Sequence, residues 1–311
     1  MRLVYFGTAD FAVPALERLA PHVVLVVTQP DRPKGRKMQL QPSPVRVAAE
    51  ALGIPVETPE RARNPEFVEQ IRALDADALV VAAYGQILST ALLESARQGG
   101  INLHGSLLPE YRGAAPIQRA IFDGKSVTGV TLMQMDRGMD TGDEIARIEL
   151  EIGPSETAGE LTPRLAVAAA DLVADWIGRI VTGDYPRTPQ DHDRHSIAPK
   201  ITKEEAELDF SGPAKREFNR FRAFTPSPGV FFATESGPVR VWACEPSTGS
   251  GEPGTVLKLL PELEVACGTG SLLLTEVSPA GKKRMSGRDF ANGARLSVGT
   301  QLVNKVSKES S

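Results

Sequence analysis

The alternation of short apolar runs with helical patterns over the first 190 residues constrains the fold more than any other feature. Apolar runs of strand length occur at residues 3–6, 23–27, 55–58, 78–83 and 101–103, and helical patterns lie between them at 11–19, 45–51, 65–73 and 90–97. This βαβα rhythm predicts a parallel sheet covered by helices on both faces. Runs at 127–135 and 144–152 predict an antiparallel addition, and residues 158–180 predict an amphipathic helix that closes the domain.

The character of the chain changes after residue 185. Residues 185–207 are rich in proline and polar residues, which predicts a surface connection between domains. A helical pattern follows at 214–223, and short β-type runs occur at 230–234, 239–243, 254–259, 263–266 and 271–277. We therefore expect a Rossmann-like, doubly wound α/β domain over 1–189, a linker over 190–207, and a smaller β-barrel (OB-like) domain over 208–311.

Composition restricts the partners and the compartment only partly. The net charge of −4 over 311 residues neither indicates nor excludes a polyanion, because binding depends on where basic residues cluster. Cys244 and Cys267 suit a β-rich core, and neither they nor the scattered histidines have metal-ligand spacing, so no metal is expected. No apolar run approaches the roughly 20 residues of a membrane span, and we expect a reduced, cytoplasmic protein.

The first strand-to-helix turn, at residues 6–11, lacks a phosphate-binding pattern. It contains one glycine where the dinucleotide fingerprint needs three, and no Walker motif occurs in the chain. No nucleotide cofactor is therefore expected. Asp10 in this turn is predicted to be a helix N-cap.

Polar side chains of chemical interest cluster after the run at 101–103. Asn102 and His104 are two residues apart at a strand's carboxyl end, where open α/β sheets bind ligands, so both side chains should share one face. Asp140 lies in a glycine-punctuated loop, 135–143, after another strand. Taken singly, an Asn-X-His is more often a strand-end polar pair, and an Asp-Thr-Gly is usually a turn. Ser106 is a weaker candidate nucleophile, because no glycine-flanked elbow surrounds it.

Together these three residues suit a specific reaction. A group of asparagine, histidine and aspartate without an assigned nucleophile suits direct attack by an external amine on a carbonyl. Asn102 and a protonated His104 would stabilise the developing oxyanion, and Asp140 would help remove the proton of the amine, directly or through water.

The motifs Asn102-X-His104, Ser106-Leu-Leu-Pro109, Arg112-Gly113 and Asp140-Thr-Gly142 resemble the 10-formyltetrahydrofolate-dependent formyltransferases. The resemblance implies that Asn102, His104 and Asp140 form the catalytic group and that 10-formyltetrahydrofolate is the co-substrate. It also implies two segments of folate contacts. These are Ser106, Leu107, Leu108 and Pro109 in the first, and Tyr84, Gly85, Gln86 and Ile87 in the second.

The acceptor is suggested by other segments. Residues 29–36, 113–119, 133–140 and 279–285 resemble the members that act on methionyl-tRNA, so methionyl initiator tRNA is the expected partner, without an obligatory protein partner. The resemblance implies that Arg36 in the loop after the second strand recognises tRNA. The expected tRNA contacts, chosen with the basic runs that could hold phosphates, are Lys34, Arg36, Lys37, Lys282, Lys283 and Arg284.

Alternatives remain at this stage. A short basic run is more often only a solvated loop, and the acceptor could be water or a small amine. The chain could also be an RNA-binding protein whose α/β domain is catalytically silent. Lys37, Arg46, Thr225 and Ser227 depart from the usual pattern, but none belongs to the catalytic group.

Overall fold

A computed structural model describes residues 1–34 and 39–302, and for Lys34 and Gln39 only the backbone. These residues form two units, each discontinuous in sequence. The first unit consists of Met1–Pro116, Val127–Glu151 and Leu161–Pro199. The second consists of Ile117–Ser126, Ile152–Glu160 and the chain from Lys200 onward. None of the helices in the described ranges is long and apolar enough to span a membrane.

The first unit contains the α/β part of the chain. Its strands are β1 (Leu3–Gly7), β2 (Val23–Val27), β3 (Arg32–Lys34), β4 (Gln39–Gln41), β5 (Val56–Glu57), β6 (Ala78–Ala82), β7 (Gly100–His104), β8 (Arg112–Gly113), β9 (Val127–Gln134), β10 (Glu144–Glu151) and β11 (Ile197–Ala198). The helices up to residue 182 are α1 (Val13–Leu19), α2 (Pro44–Ala51), α3 (Pro65–Ala73), α4 (Thr90–Leu93), α5 (Pro116–Phe122) and α6 (Ala158–Thr182). All of α5 after Pro116 and the first three residues of α6 belong to the second unit.

Seven strands form the main sheet, in the order β10-β9-β7-β6-β1-β2-β5. The five strands from β7 to β5 are parallel to one another. Strand β9 runs antiparallel to β7, and β10 runs antiparallel to β9. The predictions of a parallel sheet and of an antiparallel addition are therefore confirmed, and the order fits a Rossmann-like fold. Strand order reverses between β1 and β6, so the carboxyl ends of these strands open a crevice of the kind that binds ligands.

The apolar sequence of the central strands explains their position. Every residue of β1 and β6 is buried, as expected for parallel strands covered on both faces. Helix α3 begins with Pro65 in its first turn and turns Phe67, Val68 and Ile71 toward the core.

The predicted N-cap role of Asp10 is wrong. Asp10 lies inside a short 3-10 turn, Asp10–Ala12, and Ala12 precedes α1 without a side-chain cap. The chain enters α1 through this turn, in which the Ala12 N–H donates to the Ala9 carbonyl over 2.9 Å. A backbone carbonyl therefore takes the place expected for the carboxylate.

The second unit is built on an antiparallel sheet. Its strands are β12 (Phe231–Thr234), β13 (Gly237–Ser247), β14 (Val256–Lys258), β15 (Leu263–Ala266), β16 (Ser271–Pro279) and β17 (Met285–Ser286), with helices α7 (Ala214–Phe224) and α8 (Gly287–Gly293). The order is β12-β13-β16-β15-β14, with β17 beside β16. Two register shifts in β13 mark bulges, which increase the local twist and help the sheet to curl as a half-barrel.

The core of the second unit is aromatic and contains both cysteines. Phe232 makes edge-on contacts with Phe210 and Phe290, at centroid separations of 6.0 and 5.9 Å. Cys244 and Cys267 are both free and buried, which confirms their prediction as core residues.

Residues 190–199 pack as part of the first unit. Ile197 and Ala198 form β11, which pairs in parallel with Arg112 and Gly113 of β8. Gln190 is only 5% exposed. This stretch, which we call the strap (Gln190–Ala198), therefore lies against the loop that follows β7.

Candidate active site

The predicted catalytic residues begin at the carboxyl end of β7. This strand lies between β6 and β9, where Asn102 pairs with Val81 and Met133. Asn102 and His104 alternate with apolar neighbours, so their side chains share one face of the sheet. Both are buried, at 9% and 5% exposure.

Backbone oxygen fixes the orientation of the His104 ring. The His104 Nε2 atom lies 2.8 Å from the Tyr111 carbonyl oxygen, which can only accept. The Nε2 atom therefore carries a hydrogen. The other ring nitrogen, Nδ1, lies 3.6 Å from Asp140 Oδ2, so it is the nitrogen directed toward the carboxylate.

The backbone of Asp140 is held in a conformation that residues other than glycine rarely adopt. Its φ of +56° is in the left-handed region. The Gly113 N–H donates to Oδ2 over 2.8 Å, and Asn102 Nδ2 donates to Oδ1 over 3.4 Å. The structure thus brings Asn102, His104 and Asp140 together around one carboxylate.

The sequence around Asp140 explains how its loop is shaped. Asp136 accepts hydrogen bonds from the Thr141 hydroxyl at 2.7 Å and from the Gly138 N–H at 2.9 Å. A Cβ atom on Gly142 would collide with the Gln134 carbonyl oxygen. Threonine at position 141 and glycine at position 142 therefore allow the tight turn that presents Asp140.

The first predicted folate segment divides into supporting and accessible residues. Ser106 is fully buried and its hydroxyl donates to the Glu110 carbonyl over 2.7 Å, which supports the loop. Leu108 is also buried, and its N–H donates to the Thr131 hydroxyl. Leu107 and Pro109 are half-buried and are the accessible members.

The second predicted folate segment follows β6 at the same edge of the sheet. Tyr84 packs edge-on against Phe6, and burial raises the pKa of the Tyr84 phenol to about 12. Gln86 accepts from the Ala62 N–H and donates to the Pro59 carbonyl, which anchors the segment. Gly85 is exposed and Ile87 is 90% exposed, so these two residues form its surface.

The predicted tRNA contacts are only partly visible. Arg36 and Lys37 lie outside the described residues, and Lys34 is described by its backbone in β3 alone. Lys282, Lys283 and Arg284 are exposed on the second unit, between β16 and β17. The Arg284 guanidinium stacks on the Trp242 ring, 3.5 Å from its centroid.

Sequence reasoning missed several residues that complete the geometry. The Tyr111 carbonyl and the Gly113 N–H act through the backbone, which leaves no side-chain signature. Gln190 and Ser196 come from the strap, whose polar composition suggested only a surface connection. Their role depends on the pairing of β8 with β11, about 85 residues apart, and no local pattern encodes such a contact.

The chain matches known proteins over nearly its whole length. A family model described as "Formyl transferase" matches residues 1–177, and one described as "Formyl transferase, C-terminal domain" matches residues 200–295. A methionyl-tRNA formyltransferase from Geobacter metallireducens is 42% identical over 306 residues, covering 97% of this chain and 98% of that protein. One from a Methylobacterium species is 45% identical over 310 residues, with coverages of 97% and 99%.

Solved structures share the fold at lower identity. An N-formyltransferase from Helicobacter canadensis, in complex with folinic acid and dTDP-3-aminofucose, superposes with a TM-score of 0.64 at 18% identity. That likeness covers 88% of this chain and 98% of the other. The resemblance inferred from the motifs around Asn102, His104 and Asp140 is confirmed by sequence relatives that span both units, and the chain belongs to the formyl transferase family.

Proposed function

We propose that this chain transfers a formyl group from 10-formyltetrahydrofolate to the amino group of methionyl initiator tRNA, for translation initiation. The convergence of Asn102 and His104 on the Asp140 carboxylate carries the proposal, because it supplies the groups that amine attack on a formyl carbon requires. Relatives named methionyl-tRNA formyltransferase, at 42–45% identity over 97% of the chain, support this acceptor.

The geometry suggests how Asn102 and His104 would act. Their contacts to Asp140, at 3.4 and 3.6 Å, are longer than ordinary hydrogen bonds, so both groups can redirect toward a substrate oxygen. Because His104 Nε2 already donates to the Tyr111 carbonyl, a donation from Nδ1 requires the doubly protonated ring. The Asp140 carboxylate, 3.6 Å away, is the anion that such a ring would face.

Asp140 would accept the proton of the attacking amine. Its side chain keeps 17% exposure, so an amine or a bridging water can reach it. The Gly113 N–H donates to Oδ2, which fixes the carboxylate without neutralising it. 10-Formyltetrahydrofolate would supply the formyl carbon. The bond from that carbon to the folate nitrogen would break as the new bond to the amine forms, and tetrahydrofolate would leave with the proton taken from the amine.

Two segments are suited to hold the folate. Leu107 and Pro109 offer half-buried apolar surface, and the exposed Ile87 side chain lies at the same edge of the sheet, after β6. An apolar side chain that is 90% exposed is suited to contact a flat heteroaromatic ring. Tyr84 and Ser106, which are buried, would act by shaping these segments.

The second unit carries a surface suited to RNA, and we propose that its sheet is an OB-like RNA-binding element. Two guanidinium groups contact the Trp242 ring, with Arg240 at 4.0 Å and Arg284 at 3.5 Å from its centroid. Burial and the charge of Arg284 lower the pKa of Arg240. A phosphate bound between these cations would relieve their repulsion, and the exposed Lys282 and Lys283 extend the positive surface.

The test follows formyl transfer from 10-formyltetrahydrofolate to methionyl initiator tRNA, with uncharged tRNA and a reaction without tRNA alongside. We expect formyl-methionyl-tRNA only with the charged species. Folate turnover that does not respond to tRNA would point instead to water or a small amine as acceptor. Tight RNA binding without folate turnover would indicate a catalytically silent relative. The proposed reaction needs no obligatory protein partner and would take place in the cytoplasm, where initiator tRNA is charged.

A further inference from the structure

We infer that Gln190 is a positioning residue for Asp140, and that the strap is therefore part of the catalytic centre. This inference rests on the proposed function, because it assigns Gln190 a role in the same reaction. Among the described residues, the hydrogen bonds of the Gln190 side chain go to the backbone of the Asp140 loop and to Arg112. Of the three catalytic candidates, Asp140 is the one that Gln190 bonds directly, so we expect its effect on the reaction to pass through Asp140.

The Gln190 side chain makes hydrogen bonds with both ends of its amide. Its Nε2 group donates to the Asp140 carbonyl at 3.0 Å and to the Gly142 carbonyl at 2.7 Å. Its Oε1 atom accepts two hydrogen bonds from Arg112, at 3.1 Å from Nε and 2.7 Å from Nη2. A buried amide with both ends satisfied in this way is fixed in one orientation.

Arg112 determines which way the amide faces. A guanidinium group only donates, so the amide atom beside it must be the oxygen, and the NH2 group must face the two carbonyls. Arg112 is itself 4% exposed, and its Nη2 group also donates to His192 Nδ1 at 3.0 Å. Because both Arg112 and His192 sit in the strap–loop contact, the amide cannot rotate without breaking several bonds.

One of the two carbonyls that Gln190 holds belongs to the strained residue of the site, and the other lies two residues further along the chain. Asp140 has a φ of +56°, a conformation that persists only where surrounding contacts impose it. The Gly113 N–H fixes the end of the Asp140 side chain, whereas Gln190 fixes the backbone on both sides of Thr141. Without Gln190, the loop is free to relax toward ordinary φ values, which would move the carboxylate away from His104.

Other contacts hold the strap independently of Gln190. The Ser196 hydroxyl accepts from the Tyr111 N–H at 2.8 Å, and the Ser196 carbonyl accepts from the Arg112 N–H at 2.9 Å. Ala198 accepts from the N–H groups of Ala114 and Ala115. A substitution at Gln190 should therefore leave the strap in place and affect the Asp140 loop selectively.

Gln190→Glu is the sharpest variant. Its carboxylate keeps both bonds from Arg112, with the added strength of opposite charge, but it can no longer donate to the carbonyls of Asp140 and Gly142. Gln190→Met, of similar shape, removes both sets of bonds without adding a charge. Gln70→Glu is the matched control, because Gln70 is exposed on α3 and its side-chain amide donates to Glu57 Oε1.

The variants are compared by kcat and KM for formylation of methionyl initiator tRNA, alone and combined with Asp140→Asn. We expect Gln190→Glu and Gln190→Met to lower kcat on the order of 10- to 100-fold, as small misplacements of a reacting group do, with little change in either KM. Gln70→Glu should match the wild type. In the Asp140→Asn background, Gln190→Glu should cause no further loss, because the residue through which it acts is already inactive.

Three results would overturn the inference. These are full activity of both Gln190 variants, a rise in KM in place of a fall in kcat, or an equal loss in the presence and absence of Asp140→Asn. An inactive wild type would overturn the proposed function together with it. An active wild type with fully active variants would overturn the positioning role alone.

Discussion

Asp140 is the single residue at which the contacts of the site meet. Two side chains and one backbone N–H are directed at its carboxylate, and Gln190 holds its carbonyl. The left-handed φ shows that the fold places this carboxylate against local backbone preference. Its position is therefore the most constrained element of the proposed chemistry.

Removing either side chain of the His104–Asp140 contact should lower the rate of formyl transfer and leave folate binding nearly unchanged. We expect His104→Ala and Asp140→Asn to lower kcat on the order of 10²- to 10⁴-fold, because each removes a positioned proton donor or acceptor. The dissociation constant of the folate should stay within a few-fold of wild type. Steady-state kinetics and calorimetric folate titration check both parts. Asp143→Asn is the control, since Asp143 lies three residues away and pairs with Arg187 at 3.2 Å. An equal loss in the control would contradict the assignment.

Trp242 should act on tRNA through the two arginines that contact its ring. Each guanidinium–ring contact at an exposed site contributes about 0.5–1 kcal/mol, so Trp242→Ala should raise the KM for tRNA on the order of 3- to 10-fold. Trp242→Phe should retain most of the effect, because it keeps an aromatic face. The salt dependence of KM is the second readout, and it should flatten as phosphate contacts are lost. A change of similar size in the KM for the folate would show that Trp242 has a general structural role and no specific role in RNA binding.

At the scale of secondary structure, the sequence predicts elements well where apolar residues recur at a regular spacing. The helix expected at 65–73 is α3, and the strand expected at 263–266 is β15, because regular apolar spacing determines both. The expected helix at 90–97 is too long. Helix α4 ends at Leu93, and the chain then turns into β7. Elements without an apolar period, such as β8, β11 and the hairpin of β3 and β4, were not predicted.

The candidate site shows the same division. Asn102, His104 and Asp140 were recognisable because strand alternation and motif resemblance can both be read from the sequence alone. Gln190 was not, because its four hydrogen bonds depend on a fold-level contact between residues about 50 and 80 positions apart. A buried polar residue whose side chain hydrogen-bonds the backbone of a distant loop can be recognised only once the tertiary structure is known.

The antiparallel sheet contains a buried carboxylate whose ionisation should affect stability. Glu264 on β15 is 1% exposed and contacts Lys258 Nζ at 2.8 Å, and its Oε1 accepts from the Ser271 hydroxyl at 2.6 Å. The Lys258 and Ser271 bonds lower the pKa of Glu264. A carboxylate with a lowered pKa stabilises the fold above the ordinary glutamate range, and that contribution is lost as pH falls through the folded pKa.

Glu264→Gln should therefore destabilise the protein at neutral pH and matter less in acid. Hydrogen bonds to charged groups contribute about 1.5–3 kcal/mol each, so a loss of about 1–3 kcal/mol is expected at pH 7. Thermal unfolding of wild type and variant from pH 7 to pH 3 measures the difference, which should narrow below the ordinary glutamate range. Glu245→Gln, exposed on β13, is the control and should show no such trend. A difference that stays constant with pH would contradict the role of ionisation.

At the scale of the whole molecule, each unit is assembled from separated stretches of chain. The second unit takes Ile117–Ser126 and Ile152–Glu160 from among the first 160 residues of the chain. Phe122 of the first stretch stacks on Phe224 of α7 at 5.6 Å between centroids. Arg222 of α7 donates to the carbonyls of Gly153 and Glu156, in the second stretch. A boundary drawn at one point in the sequence therefore divides the second unit.

This organisation predicts how the chain responds to truncation. A fragment of residues 1–199 retains Phe122 and the acceptors in 152–160 but lacks α7, so it exposes an aromatic ring and carbonyl groups that the full chain covers. We expect the fragment to aggregate, or to unfold several degrees below the full chain with reduced cooperativity, as followed by light scattering and thermal denaturation. Phe122→Ser in the fragment should reduce aggregation, whereas the same change in the full chain should destabilise it by about 1–2 kcal/mol, since it removes a half-buried aromatic ring that stacks on Phe224. If the fragment is monomeric and unfolds cooperatively at the temperature of the full chain, residues 117–126 and 152–160 do not need contact with α7 to remain folded.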